Sequence, residues 1–242
     1  MNFSKVLSLD ASSAAEACGR HILDILSDTL ANRPTASLAI SGGSTPKLLF
    51  AWLSEQEFDW SRVHLFWVDE RAVPPGDPES NFTLAETYWL TPGAFPKENV
   101  HRIHAEKPVG EAAHYYADDI RGHFQLGNES ELPAFDIIQQ GMGADVHTAS
   151  LFPGEPHILD RSGIAAAVYV DKLKAARVTL LPGVLAAARH TLMLVCGEDK
   201  QKALDTVFNG PENILDFPAQ LTRHHAGGVV WFLDEAAARN LD

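Results

Sequence analysis

Short apolar runs alternate with stretches of helical spacing along the whole chain. Residues 14 to 30 carry apolar side chains three and four apart, which predicts an amphipathic helix, and "SLAI" then reads as a buried strand ending at "SGGSTP". A helix follows from Pro46 to Leu53, then the strand "VHLFWVD" at 63 to 69, and helical patterns at 81 to 90 and 111 to 126. "FDIIQQ" and "TLMLVCG" are further strands, each running into a glycine turn and another helical pattern. "GGVVWFLD" is the last, ahead of a terminal helix in "EAAARN". Continuous apolar strands between helices predict an α/β fold: a three-layer, Rossmann-like, mostly parallel sheet with helices on both faces. Residues 71 to 80, "RAVPPGDPES", are an irregular loop. No segment rich in Pro, Gly or Ser divides the chain, so one α/β domain over residues 1–242 is expected.

Such sheets bind ligands outside the carboxyl ends of their strands, and here strand after strand ends in polar, glycine-rich sequence. "SGGSTPK" offers Ser41, Gly42, Gly43, Ser44 and Thr45 at a strand-to-helix turn, where small residues and a helix N-terminus suit an anion. The plainer reading is a tight turn capped by Ser44 or Thr45. "WVDER" brings Asp69, Glu70 and Arg71 to the end of a buried strand. Arg71 suits a carboxylate, phosphate or oxyanion, whereas Glu70 is equally suited to a structural ion pair. Asn81, ten residues on, faces the same cleft or caps the next helix.

The richest stretch is "GMGADVHTASLFPG", 141 to 154. Asp145 and His147 are two apart and in extended backbone project the same way. A carboxylate beside an imidazole fixes its tautomer and raises its basicity, as a general base requires. His147 stands apart from the chain's other histidines by its strand-end position, its acidic neighbour and the glycines around it, Gly141 and Gly143 among them. No serine lies in a GxSxG setting, so water is the better nucleophile. Arg177, opening "RVTLLPGVL", and Lys200, closing "CGEDK", add cations at strand ends, while Lys47 and Lys174 read as solvated surface charge.

Composition narrows the partners. The net charge of −13 disfavours nucleic acid and anionic membranes, so cations for an anionic metabolite must be gathered locally. Two cysteines far apart suggest neither a disulfide framework nor a zinc site. No apolar stretch is long enough to cross a bilayer, and the first residues lack a signal-peptide core. A reduced, cytoplasmic chain acting as a monomer is expected.

Taken in order, "SGGSTPK", "WVDER" with "PESN", "GMGADVHTASLFPG", "RVTLLPGVL", "GEDK" and "VVWFLDEAA" resemble the 6-phosphogluconolactonase family from about residue 36 onward. That family shares its fold with glucosamine-6-phosphate deaminase and ribose-5-phosphate isomerase. The resemblance implies hydrolysis of 6-phospho-D-glucono-1,5-lactone to 6-phosphogluconate in the oxidative pentose phosphate pathway, with no metal or organic cofactor. It also implies roles. His147 would activate water, Asp145 would orient it, and Arg71 would help hold the substrate and the oxyanion. The "SGGS" loop, Arg177 and Lys200 would hold the phosphate. An amino-sugar-phosphate isomerase or deaminase fits less well, since such enzymes read Asp-Glu-Tyr where this chain has "DER". A sugar-phosphate sensor is disfavoured by the charge and by a first helix starting within about fifteen residues of the chain's beginning.

The chain departs from the family twice. Val146 stands where the family has glycine between Asp and His, and Leu181 where threonine is common. Because a β-branched residue resists positive φ, Val146 is expected at negative φ with its methyls narrowing the pocket. Leu181 is expected to remove a hydroxyl from the phosphate side.

Overall fold

The computed structural model describes residues 3–128, 130–225 and 227–241. In chain order its principal elements are β1 (Phe3–Ser8), α1 (Ala11–Asn32), β2 (Ala36–Ile40), α2 (Ser44–Ser54), β3 (Val63–Trp67), β4 (Asp69–Arg71), α3 (Asn81–Ala85), β5 (Val100–His101), α4 (Val109–Phe124) and β6 (Ile137–Gln140). There follow β7 (Ala165–Val170), β8 (Ala175–Leu180), α5 (Pro182–Ala187), β9 (His190–Val195), α6 (Gln201–Phe208), β10 (Val229–Asp234) and α7 (Glu235–Ala238). Seven strands form one parallel sheet in the order β1-β10-β9-β6-β2-β3-β5. The central strands β2 and β6 are buried at every residue, as strands covered on both faces must be.

The helices begin and end for local reasons. Asp10 accepts the Ser13 N–H at 2.8 Å and so starts α1. Pro34 drives Arg33 out of the helical region, to φ −136 and ψ 152, and ends it. Arg62 then donates to the carbonyls of Leu30, Arg33 and Pro34, satisfying the helix C-terminus from outside. Gly19 sits inside α1 because a Cβ there would lie 2.4 Å from the Trp52 ring of α2.

The expected strand over 63 to 69 is two elements. β3 stops at Trp67, and β4 leaves for a second sheet of order β4-β8-β7, antiparallel throughout. Val68 is the joint: its N–H donates to Ile40 in the large sheet, and its carbonyl accepts from Leu180 in the small one. In this register Asp69 lies opposite Thr179 and Arg71 opposite Arg177. Arg177 therefore sits in the middle of β8, where a strand end was expected. β1 and the β7–β8 hairpin carry no pattern that marks them among the polar and alanine-rich stretches of sequence. The helix expected over 81 to 90 is α only to Ala85 and widens into a π turn over Glu86–Leu90.

Candidate active site

The sheet's order reverses beside β2: the chain goes on to β3 and β5 on one side, and to β6, β9 and β10 on the other. Loops leaving β2 and β6 part at such a point and open a crevice. Here it is a cleft of about 230 Å³. Ser41, Gly42, Gly43, Ser44 and Thr45 line it from β2, and Asp69, Arg71 and Asn81 from β4 and α3. Gly141, Gly143 and His147 come from the loop after β6, Arg177 from β8, and Lys200 from the turn before α6. Every residue given a catalytic or binding role from the sequence except Asp145 borders this one space, and Asp145 is bonded to His147 behind it; Glu70, Val146 and Leu181 do not border it.

The loop after β6 holds the imidazole. His147 Nδ1 lies 2.5 Å from Asp145 Oδ1, so the ring proton sits on Nδ1 and Nε2 keeps its lone pair. The other carboxylate oxygen of Asp145 takes an ion pair from Lys172, on the turn joining β7 to β8. Phe152 stacks on the imidazole at 4.1 Å between ring centroids and also lies beneath Lys172 and Arg177. Gly143 is required for space, since a Cβ there would fall 2.1 Å from His147 Nδ1 and 2.5 Å from Asp145 Oδ1. Gly42 serves Asn81 in the same way, at 1.9 Å from its Oδ1.

Burial carries the His147 pKa down from 6.5 to about 4, with Arg177, Lys200 and Arg71 adding to the fall and Asp69 opposing it. The expectation that its carboxylate partner raises its basicity is thus reversed: desolvation and three cations outweigh the pairing. At neutral pH the ring is uncharged and able to accept a proton.

Val146 overturns its expectation as well. Its φ is +66, and its side chain, 5% exposed, does not border the cleft but belongs to a buried apolar cluster that includes Met142, Val195 and Ala219. The loop closes on itself through Val146 N–H to the Gly143 carbonyl (3.0 Å) and Gly143 N–H to the His147 carbonyl (2.9 Å). A left-handed residue at 146 allows that closure, and Ala219 N–H fixes the Val146 carbonyl at 2.9 Å. The methyls narrow nothing. Leu181 is likewise outside the cleft: buried at the N-cap of α5, its Cδ1 would lie 2.5 Å from a Cβ on Gly163.

Three cations, Arg71, Arg177 and Lys200, border the cleft. Like charges directly opposite on paired strands repel, yet Arg71 and Arg177 face each other. Each has a buried Nε without a hydrogen-bond partner. Ser41 Oγ and Asn81 Oδ1 are also buried and unpartnered. α2 opens on Gly43 at φ 125 with no side-chain cap, so Ser44 and Thr45 do not serve as its cap and its first amides are free. Asn81 caps nothing either; Ser80 does that, and Asn81 Nδ2 donates to the Asp69 carbonyl at 2.9 Å. Asp69 accepts Ser150 Oγ at 2.6 Å and lies 3.9 Å from Arg177.

Glu70 is structural, held by hydrogen bonds where an ion pair was considered. Its carboxylate accepts the N–H groups of Arg71, Asn81 and Phe82 and the Ser80 hydroxyl, all at 2.7–2.9 Å, and so caps α3. Burial pushes its pKa up against those bonds. Cys196 borders the cleft, but burial drives its thiol to about 12, too high for a nucleophile. Lys172 and Phe152 were not legible in the sequence. Lys172 meets Asp145 only because the β7–β8 hairpin brings its turn there, and Phe152, five residues beyond His147, reaches the ring only because the chain turns back between Thr148 and Leu151.

A family model described as glucosamine-6-phosphate isomerases/6-phosphogluconolactonase matches residues 9–231. The chain belongs to this family. Relatives named 6-phosphogluconolactonase include one from Homo sapiens, 37% identical over 86% of this chain and 82% of its own. Another, from Synechocystis, is 34% identical over 89% of both chains. A solved 6-phosphogluconolactonase from Trypanosoma cruzi superposes with a TM-score of 0.88 at 27% identity, over 100% of this chain and 98% of that one. No described helix is long and apolar enough to cross a membrane.

Proposed function

We propose that the chain is a 6-phosphogluconolactonase, hydrolysing 6-phospho-D-glucono-1,5-lactone to 6-phospho-D-gluconate. The observation that carries this reading is a neutral His147 ring held by the Asp145 carboxylate and opening on a cleft where two facing arginines each keep a buried Nε without a hydrogen-bond partner.

In the reaction a water molecule attacks the lactone carbonyl carbon while His147 Nε2 takes its proton. Asp145 holds the ring and stabilises the imidazolium that forms, and Lys172 fixes the carboxylate. The tetrahedral oxyanion is met by Arg71. Collapse breaks the bond from carbon to ring oxygen, and the imidazolium returns its proton to that oxygen, leaving a hydroxyl and a carboxylic acid that releases its proton to solvent as the carboxylate. Arg177, Lys200 and the uncapped amides of "SGGS" hold the phosphate. A phosphate dianion there relieves the repulsion between the arginines and raises the basicity of His147 as substrate binds.

The test is loss of 6-phosphogluconolactone above its spontaneous hydrolysis. General base catalysis contributes about 10²–10⁴-fold, so His147→Gln is expected to lower kcat by that order with its fold intact. A variant keeping more than a third of wild-type turnover removes His147 from the role.

A further inference from the structure

A second cluster lies at the amino end of β3, away from the cleft. His64 of β3, His101 of β5 and His123 of α4 converge there, although 59 positions separate the first from the last (123 − 64). One ring nitrogen from each lies within 4.8 Å of the others. His64 Nδ1 and His101 Nε2 are 3.0 Å apart. Two imidazole nitrogens on one tetrahedral zinc ion, each at 2.0–2.1 Å, are about 3.3 Å apart, so that pair is nearly at ligand spacing. His101 also has the outer partner typical of a metal-bound imidazole: its Nδ1 donates to Asp119 Oδ2 at 2.9 Å, which leaves Nε2 bare. Phe66 stacks flat on His101 at 4.2 Å between centroids, and Phe124 packs edge-on against His123, giving the rings an apolar backing. On the other side His101 and Asp119 border an open surface cavity of about 910 Å³, which gives an ion and a water ligand a way in.

We infer that His64, His101 and His123 form a binding site for a borderline divalent transition-metal ion, zinc above all, that clips β5 and the last turn of α4 to β3. Three imidazoles select late first-row ions over magnesium or calcium. The ion takes the place of the proton between His64 Nδ1 and His101 Nε2, and that proton moves to the far nitrogen of His64. A water completes the tetrahedron. The site takes no part in lactone hydrolysis, since none of its residues borders the cleft. Its role is to anchor β5, a two-residue edge strand with few hydrogen bonds of its own.

The metal-stripped full chain is titrated with zinc by calorimetry while its melting temperature is followed. One ion should bind per chain and raise the melting temperature. Asp119→Asn should weaken binding 10–100-fold, the usual effect of losing an outer-shell partner. His123→Gln should weaken it at least as much, and His147→Gln should not affect it. X-ray absorption on the zinc-loaded wild type reads the site without any variant. Three imidazole neighbours at about 2.0–2.1 Å are expected. A sulfur neighbour, fewer than three imidazoles, equal affinity in His123→Gln, or binding abolished by His147→Gln would overturn the assignment.

Discussion

Replacing Val146 by glycine sets backbone strain against core packing at the residue beside the proposed base. A β-branched residue in the left-handed region carries a cost of about 1–3 kcal/mol, which glycine removes. The side chain, however, is buried among Met142, Val195 and Ala219. Deleting three carbons at about 0.8 kcal/mol each forfeits about 2.4 kcal/mol. Glycine also costs about 0.5–1 kcal/mol more backbone entropy on folding. The loss of about 3 kcal/mol exceeds the mid-range strain, so Val146→Gly should destabilise by about 1 kcal/mol. For a chain of this length that lowers Tm by about 2–4 °C. Because the valine faces the core, kcat/KM for the lactone should hardly change. Urea or thermal unfolding with parallel kinetics checks both statements. Stabilisation by more than about 1 kcal/mol would show that strain outweighs packing. A tenfold rise in kcat/KM, equivalent to about 1.4 kcal/mol, would restore the crowding account that the geometry rejects.

Further outcomes follow from the same geometry. In the free protein the His147 ring should titrate near pH 4 by NMR, and inorganic phosphate should move that midpoint upward by offsetting Arg71, Arg177 and Lys200; a free-protein midpoint of 6 to 7 would contradict the burial argument. Since the folded pKa lies below the unfolded one, the unfolded state binds more protons between them, and the ring's contribution to stability should be lost as pH falls from about 6.5 towards 4. Gly143→Ala should cut kcat by an amount approaching that of His147→Gln while the fold persists, because the added methyl collides with both members of the pair; unchanged kcat would mean that the pair is dispensable. Arg177→Ala should raise KM for the phosphorylated lactone by an energy of about 1.5–3 kcal/mol and leave unphosphorylated gluconolactone little affected, whereas equal losses on both would mark a structural arginine.

Much of the site was legible because its demands are local. The anion loop after β2 and the glycine-bracketed Asp-x-His after β6 are requirements of a few adjacent residues. Apolar runs between helical stretches predict a parallel sheet whose strand ends collect such loops. Other features depend on residues distant in sequence. Arg71 meets Arg177 only because Val68 passes the chain from one sheet to another, and Lys172 finds Asp145 only through a hairpin that residues 165 to 180 do not announce. The basicity of His147 is likewise a tertiary property. Asp145 beside it argues for a raised pKa, whereas burial and cations from three separate segments lower it. Val146 shows the division most plainly. Sequence identifies a residue that resists positive φ, but two hydrogen bonds closing the loop and a hydrophobic cluster behind it set that backbone at +66 and turn the side chain inward. Local propensity of about a kilocalorie yields to packing energies of several, and packing is decided only where the chain meets itself.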